Sequence, residues 1–345
     1  MGLVASGTTL MVSDPTNTSL LEVSLATDSV ESVLNAGTST GVGIPALIES
    51  PFPILSFGDV YYVTQDASCY YSCGPISVLN DYSLGSSANL WADTLPISTS
   101  TWYVTEANGL VYASAATTSL NAYGASSGAT DWSLTTPYDI ATQPTVGGGI
   151  LALGYTTSPE ISGFVYYSGA YAWNYTADSP VGSPALAYSN GSFFFGTTGG
   201  HIDDVNTSGH LLWSYSDGGN SITTTPAIGF GRVFVGASDG TLYALNESTG
   251  SLSWSAHLPS ALSASPVISA NGEVYVADAN GDLTAFNASS GHRTWFASLG
   301  AAANDGLLLG NGTLLASNAL GVVSAYAAQT YNVTFSESGL PAGTA

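Results

Sequence analysis

Residues Thr223 to Trp254, TTTPAIGFGRVFVGASDGTLYALNESTGSLSW, and Ser263 to Trp295, SASPVISANGEVYVADANGDLTAFNASSGHRTW, are one phrase written twice. Each opens with a Pro after a small hydroxyl residue (Pro226, Pro266), runs through apolar residues to a Gly (Gly231, Gly272) and enters an alternating strand. A turn, a second alternating strand, an Asn (Asn246, Asn287), a Gly (Gly250, Gly291) and a Trp complete the phrase. A fixed-period repeat decides architecture before any single element does, because each unit must bury its apolar surface against a neighbouring copy.

Outward from this stretch, the Trp residues carry the period. Trp91, Trp132, Trp173, Trp213, Trp254 and Trp295 are separated by 41, 41, 40, 41 and 41 residues, and Trp102 alone stands outside the series. A unit of about 40 residues with four short strand signals is the size of one four-stranded propeller blade. Each unit supplies strands a, b, c and d. The first, at 2–6, 8–13, 19–25 and 29–34, lacks the Trp. The second uses 53–57, 59–63, 76–80 and a fourth strand ending at Trp91; the eighth uses 306–310, 313–317 and 322–326, with 331–335 as its fourth strand or the start of something else. The expectation is an all-β chain: a β-propeller of four-stranded antiparallel blades, eight in number, with seven as the alternative. Residues 1–330 form the propeller, and 331–345 begin a following surface module or supply the last blade strand. Closing the ring hides the lateral sheet edges that an open array would expose.

The composition agrees. The 345 residues are 45% hydrophobic and 11% aromatic, with 40 Gly, and helical patterns are almost absent from the β-branched and aromatic runs. Arg232 and Arg293 are the only basic Lys or Arg residues against 24 acidic ones, a formal net charge of -22. That balance excludes nucleic acid as a partner, since phosphate binding draws on Lys and Arg. Yet only 8% of residues are charged, so the surface is mostly hydroxyl, amide and Gly, as in secreted and cell-surface proteins. Such a surface also suits an acidic medium, where carboxylates protonate and net charge falls towards zero near the pI of 4.1. Residues 1–5 are far too short for a secretory signal, and no apolar run reaches membrane-spanning length. Export therefore requires that these residues are part of a longer protein.

The phrase GRVFVGASDGTLYALNESTGSLSW (231–254) resembles the pyrroloquinoline-quinone-type propeller repeat of quinoprotein dehydrogenases and of the lipoprotein of the outer-membrane barrel-assembly machinery. The resemblance is strong over 221–300, fair over 45–217 and weak at both ends. It implies that the indole of strand d docks between neighbouring blades, a role that falls to Trp91, Trp132, Trp173, Trp213, Trp254 and Trp295. The tail YNVTFSESGLPAGT (331–344) is similar to a short module of surface proteins of thermoacidophilic archaea.

The candidate functional residues are few. Cys69 and Cys73, in DASCYYSCGP (66–75), form a small-loop disulfide or remain free thiols; the disulfide is the expectation, since an exposed thiol pair persists poorly outside the cell. They lie in the longest connection, 64–75, with Tyr70 and Tyr71 as apolar platforms for a ligand. Asn206, Asn246 and Asn287 are N-x-Ser sequons recurring at one turn, where Asn serves as a cap and is also a possible glycosylation acceptor. His201, His210, His257 and His292 are too dispersed along the repeat to form a metal set. Asp278, Asn280 and Asp282 resemble part of a calcium loop but sit where Asn-Gly and Asp turns are ordinary. Asp203 and Asp204 are the least expected polar pair, and a solvated strand is the expectation for them. Two functions compete: a non-enzymatic exported propeller that acts as a cell-surface scaffold or binds a protein or glycan partner without cofactor, and a quinone-dependent dehydrogenase. The resemblance implies that such an enzyme needs a metal ion, a carboxylate base, cationic or polar contacts to the quinone's carboxylates and often adjacent cysteines. This chain has two Arg inside ordinary repeat positions and cysteines that are not adjacent, so the enzyme reading fails at the residues that would carry it.

Overall fold

The computed structural model describes the backbone of residues 3–6, 9–14, 19–24, 29–35, 47–48, 54–56, 59–66, 76–83, 86, 88–95, 102–310, 313–320 and 322–327. Its strands form eight antiparallel sheets: 3–35, 47–94, 102–135, 145–176, 187–216, 227–257, 267–298 and 303–327. Six have four strands in simple meander order; the second has five because Leu47–Ile48 and Ile54–Ser56 both pair with Asp59–Asp66, and the eighth has three. The fold is a multi-blade β-propeller. The first strands of successive sheets lie beside one another, and Leu3–Ser6 meets Ala303–Gly310, so the last sheet returns to the first. The tail from residue 328 onward, including 331–345, lies outside the described residues.

The sixth sheet shows why these residues make these strands. Ala227–Gly229, Arg232–Gly236, Thr241–Asn246 and Leu252–His257 run a to d. The a-to-b turn uses Phe230 and Gly231, both at positive φ, 54° and 68°, the twist a two-residue hairpin requires. Val233, Phe234 and Val235 of strand b and Leu242, Ala244 and Leu245 of strand c are all fully buried, on both faces. Alternation was the expectation for these strands, and it survives only in strand d, where Leu252–His257 is exposed or half-buried along its length. The cause is stacking: strands b and c are covered by a neighbouring sheet on either side, which makes a continuous apolar run the stable pattern.

The inner edge is stitched by hydroxyls. Thr225 Oγ1 accepts the Ala185 N–H at 3.1 Å, and Ser265 Oγ accepts the Thr225 N–H at 3.0 Å. These are the small residues before Pro226 and Pro266, so this repeat position links the inner strands of the fifth, sixth and seventh sheets.

From the second sheet to the seventh, the outer part of the junction with the next sheet is made by the indoles. Trp91 Nε1 donates to Ala125 O (2.8 Å), Trp132 to Tyr166 O (3.0 Å), Trp173 to Thr207 O (2.8 Å), Trp213 to Glu247 O (2.9 Å) and Trp254 to Ala288 O (3.0 Å). Every acceptor lies 34 residues on, in the c-to-d turn of the next sheet. The same turn presents a glycine to the ring. Trp254 also lies between Phe234 of its own sheet and Phe286 of the next, at centroid distances of 5.7 and 6.1 Å, and Trp295 reaches Tyr326 of the eighth sheet at 5.2 Å.

Gly250 and Gly231 share φ = +68°, yet a Cβ on Gly250 would stand 2.5 Å from the Trp213 ring while one on Gly231 meets nothing within 4 Å. Gly231→Ala is expected to lose about 1–2 kcal/mol from left-handed strain alone. Gly250→Ala is expected to lose about 1–3 kcal/mol more, through the forced displacement of the indole. Denaturant unfolding of the two variants checks the difference, and equal losses would contradict the proposed tight contact.

Candidate functional site

The c-to-d turns are built by Asn side chains. Asn206 Oδ1 accepts the N–H groups of Ser208 (2.9 Å) and His210 (3.1 Å); Asn246 Oδ1 accepts those of Ser248 and Thr249 (both 3.0 Å); Asn287 Oδ1 accepts those of Ser289 (3.1 Å) and Ser290 (3.0 Å). The oxygen of each sequon amide thus closes the loop that also offers its carbonyl to the indole of the preceding sheet. His210 and His292 flank two of these turns, in the fifth and seventh sheets.

Strand c of the fifth sheet, His201–Asn206, carries the densest polar cluster. Asp203 is 2% exposed, so the expectation of a solvated strand is overturned for it and for Asp204, which is 3% exposed. The strand is enclosed by the sheets on both sides. Asp203 Oδ2 accepts the Tyr175 hydroxyl of the fourth sheet at 3.0 Å and Oδ1 accepts the Ser214 hydroxyl of strand d at 2.5 Å. Burial pushes the Asp203 carboxyl above its ordinary range, against the pull of those two hydroxyls and the nearby His201. At the rim, His201 Nδ1 lies 2.9 Å from Asp178 Oδ2. Burial raises Asp178, but the Thr197 hydroxyl and His201 outweigh it and hold the carboxyl below its ordinary range. This pair links the d-to-a connection of the fourth sheet to strand c of the fifth.

The remaining candidates are held locally. His257 Nδ1 lies 3.2 Å from Thr241 Oγ1 across its own sheet. Asp278 Oδ1 accepts the N–H groups of Asn280 and Asp282, both at 3.0 Å, so the DANGD segment is a side-chain-capped hairpin. Among the described residues no group of three His, Cys, Asp or Glu side chains is arranged to hold a metal ion. Cys69, Cys73, Tyr70 and Tyr71 lie outside the described residues. The flanking strands are longer than expected, Asp59–Asp66 paired with Ile76–Ser83, which shortens the connection bearing those four residues to 67–75.

The two Arg side chains, the cations a quinone's carboxylates could use, are both placed away from the inner strands. Arg232 starts a strand b, and its guanidinium donates to Phe230 O (3.1 Å) and Ser289 O (3.3 Å); Arg293 starts an outer strand and is exposed. Neither stands on an axial strand.

Two positions escaped the reading of the sequence. Asp81 and Tyr175 are both packed into sheet interiors or junctions. Aligning the repeats on their Trp would have flagged Asp81, because the other units hold Ala or Gly at that spacing except the fifth, where a one-residue-shorter c-to-d turn shifts the column and strand pairing puts Asp204 in it.

The family model described as outer membrane protein assembly factor BamB matches residues 77–224 and 201–330. Among solved structures, the chain is similar to the computationally designed Ika8 protein, with a TM-score of 0.76 and 16% identity over 94% of this chain and 95% of that one. It is similar to BamB from Moraxella catarrhalis, with a TM-score of 0.73 and 17% identity over 94% and 95% of the two chains. It is also similar to Sqt1 from Saccharomyces cerevisiae, with a TM-score of 0.71 and 14% identity over 93% of each. At these identities the likeness to solved structures concerns the fold alone. No curated protein matches the chain.

Tyr175→Phe removes one of the two hydroxyls that reach Asp203. The variant is expected to lose about 1–3 kcal/mol of stability at pH 7, the cost of a buried acceptor without its donor. The deficit is expected to shrink as pH falls, because a protonated carboxyl needs one donor fewer. Urea unfolding at pH 7 and pH 4 checks both, and a larger deficit at pH 4 would contradict the role given to Tyr175.

Proposed function

Since this chain belongs to the propeller family described as outer membrane protein assembly factor BamB, we propose that it is a non-enzymatic, exported propeller acting as a cell-surface scaffold or as a module that binds a protein or glycan partner. One observation carries this reading: the side chains that recur with the period are used between sheets. The indoles reach the next turn, the Asn side chains close that turn, and the hydroxyls before Pro tie the inner strands. Asp203, in a strand-c position that holds a polar side chain from the second sheet to the seventh, is engaged by hydroxyls of its own neighbourhood. A scaffold whose recurring positions serve closure leaves recognition to surface loops.

Within this reading the sheets are eight blades, 1–330 is one propeller, and 331–345 is the start of a following surface module or the last blade strand. The return of the eighth sheet to the first supports the ring. Among the described residues no helix is long and apolar enough to cross a membrane. The hydroxyl-rich, Lys-free surface supports an extracellular or cell-surface location, where Cys69 and Cys73 are joined as a disulfide. Asn206, Asn246 and Asn287 are glycan acceptors there. A sugar on Nδ2 leaves their turn-closing Oδ1 bonds intact.

The binding element is the connection holding Tyr70 and Tyr71, carried on the paired strands Asp59–Asp66 and Ile76–Ser83. Exchanging both Tyr for Ser is expected to reduce adhesion of the purified chain to envelope fractions at least several-fold with unchanged unfolding behaviour. Undiminished adhesion would remove that loop from the reading. Incubation with pyrroloquinoline quinone, calcium and an alcohol is expected to give no reduction of a redox dye; reduction would overturn the non-enzymatic assignment.

A further inference from the structure

Strand c of each Trp-bearing sheet from the second to the seventh places one residue directly across from the indole. It is Ala122, Gly163, Ala244 and Ala285 in four sheets, and Asp81 and Asp204 in the other two. The register shifts immediately after this residue in all six, so the position is the same bulge each time. Small residues suit it: a Cβ on Gly163 would stand 2.3 Å from the Trp173 ring. Two carboxyls in this column are therefore departures from the repeat.

Their surroundings offer little to a negative charge. Asp81 is fully buried, and neither of its oxygens has a hydrogen-bond partner among the described residues. It faces Tyr61 on strand b and Trp91 on strand d, and the charged groups around it are the carboxylates of Asp59 and, beyond Tyr61, Glu106. Asp204 lies between Phe194 and Trp213. The Ser192 hydroxyl reaches it, Oδ1 has no partner, and the charged group acting on it is Glu247 of the next sheet. Asp203, one residue away, has two hydroxyl donors and His201 near it. The sequence has no Lys, and Arg232 and Arg293 stand elsewhere. A bare carboxylate in such places costs several kcal/mol, on the order of what an unpaired buried ion loses, whereas a carboxylic acid loses far less.

We propose that Asp81 and Asp204 are carried as neutral carboxylic acids, which makes this propeller an acid-adapted fold whose second and fifth sheets loosen when those two groups ionise. The inference is independent of where the chain is located and of any partner.

The direction follows from linkage. Burial, reinforced by Asp59, raises Asp81 from 3.8 to about 7, and burial raises Asp204 from 3.8 to about 6. Because the folded state holds these protons more tightly than the unfolded chain, the stabilisation is complete below about pH 3.8 and is lost as pH rises through about 6 and then about 7. Between those limits each group lowers the folding constant by up to about tenfold per pH unit.

The experiment is denaturant unfolding of the full chain from pH 4 to pH 8, for the native sequence, Asp81→Asn, Asp204→Asn, the double variant, and Asp131→Asn as an exposed control. Stability of the native sequence is expected to fall as pH rises, the double variant to lose most of that slope, and the control to keep it. A native stability that is flat or rises with pH, or a double variant with the full slope, overturns the proposal. Should the Asn variants not fold, a ¹³C titration of the Asp carboxyl carbons in the native chain decides. Two carbons titrating near pH 6 to 7 support the proposal, and all of them titrating below about pH 5, in the ordinary carboxyl range, overturns it.

Discussion

The structure depends on one contact made over and over: an indole ring pressed on a glycine of the next sheet's turn while its N–H reaches a carbonyl of that turn. The ring supplies the apolar area, and the single donor fixes orientation, since an indole N–H left unpaired in a junction would cost more than the bond contributes. Glycine is needed at Gly250 because any Cβ would enter the Trp213 ring and because φ is positive there. Sheet stacking, turn shape and repeat length are thus one constraint. The turn must arrive 34 residues after the indole for the junction to close.

Stacking has a second consequence. It covers strands b and c on both faces, so any polar residue on them must find its partner within its own or a neighbouring sheet or go without. Asp203 finds Tyr175 and Ser214. Asp204, one residue on and pointing to the opposite face, meets Phe194 and Trp213 instead. Adjacent residues of the same type are given different chemistry by the period of the pleat alone. The rim is where charge is tolerated, and there Asp178 and His201 join two sheets at their edge.

Much of the fold was legible in the chain. The eight strand groups fall where the repeat placed them, and the strands at 3–6, 19–24 and 29–35 of the Trp-less first unit depart by a residue or so. The candidate site was less legible. Asn246 and Asn287 announced their turns because capping is local, whereas Asp203 and Asp204 looked like a solvated pair because alternation within one strand says nothing about a second sheet lying over it. Tyr175 carried no signal, since its role comes from a residue 28 positions away in another sheet.

By itself the sequence determined the period, the strand and turn order, and a surface nearly free of positive charge, because these are properties of neighbours along the chain and of residue counts. Tertiary structure alone decided which carboxylates are sealed from water, which carbonyl each indole meets, and that Arg232 is engaged by carbonyls on a turn instead of facing the axis. The physical reason is the same in each case. Burial on both faces of a strand and the partner of a buried donor are set by the adjacent sheet, about one whole repeat away, and exist only once the sheets have stacked.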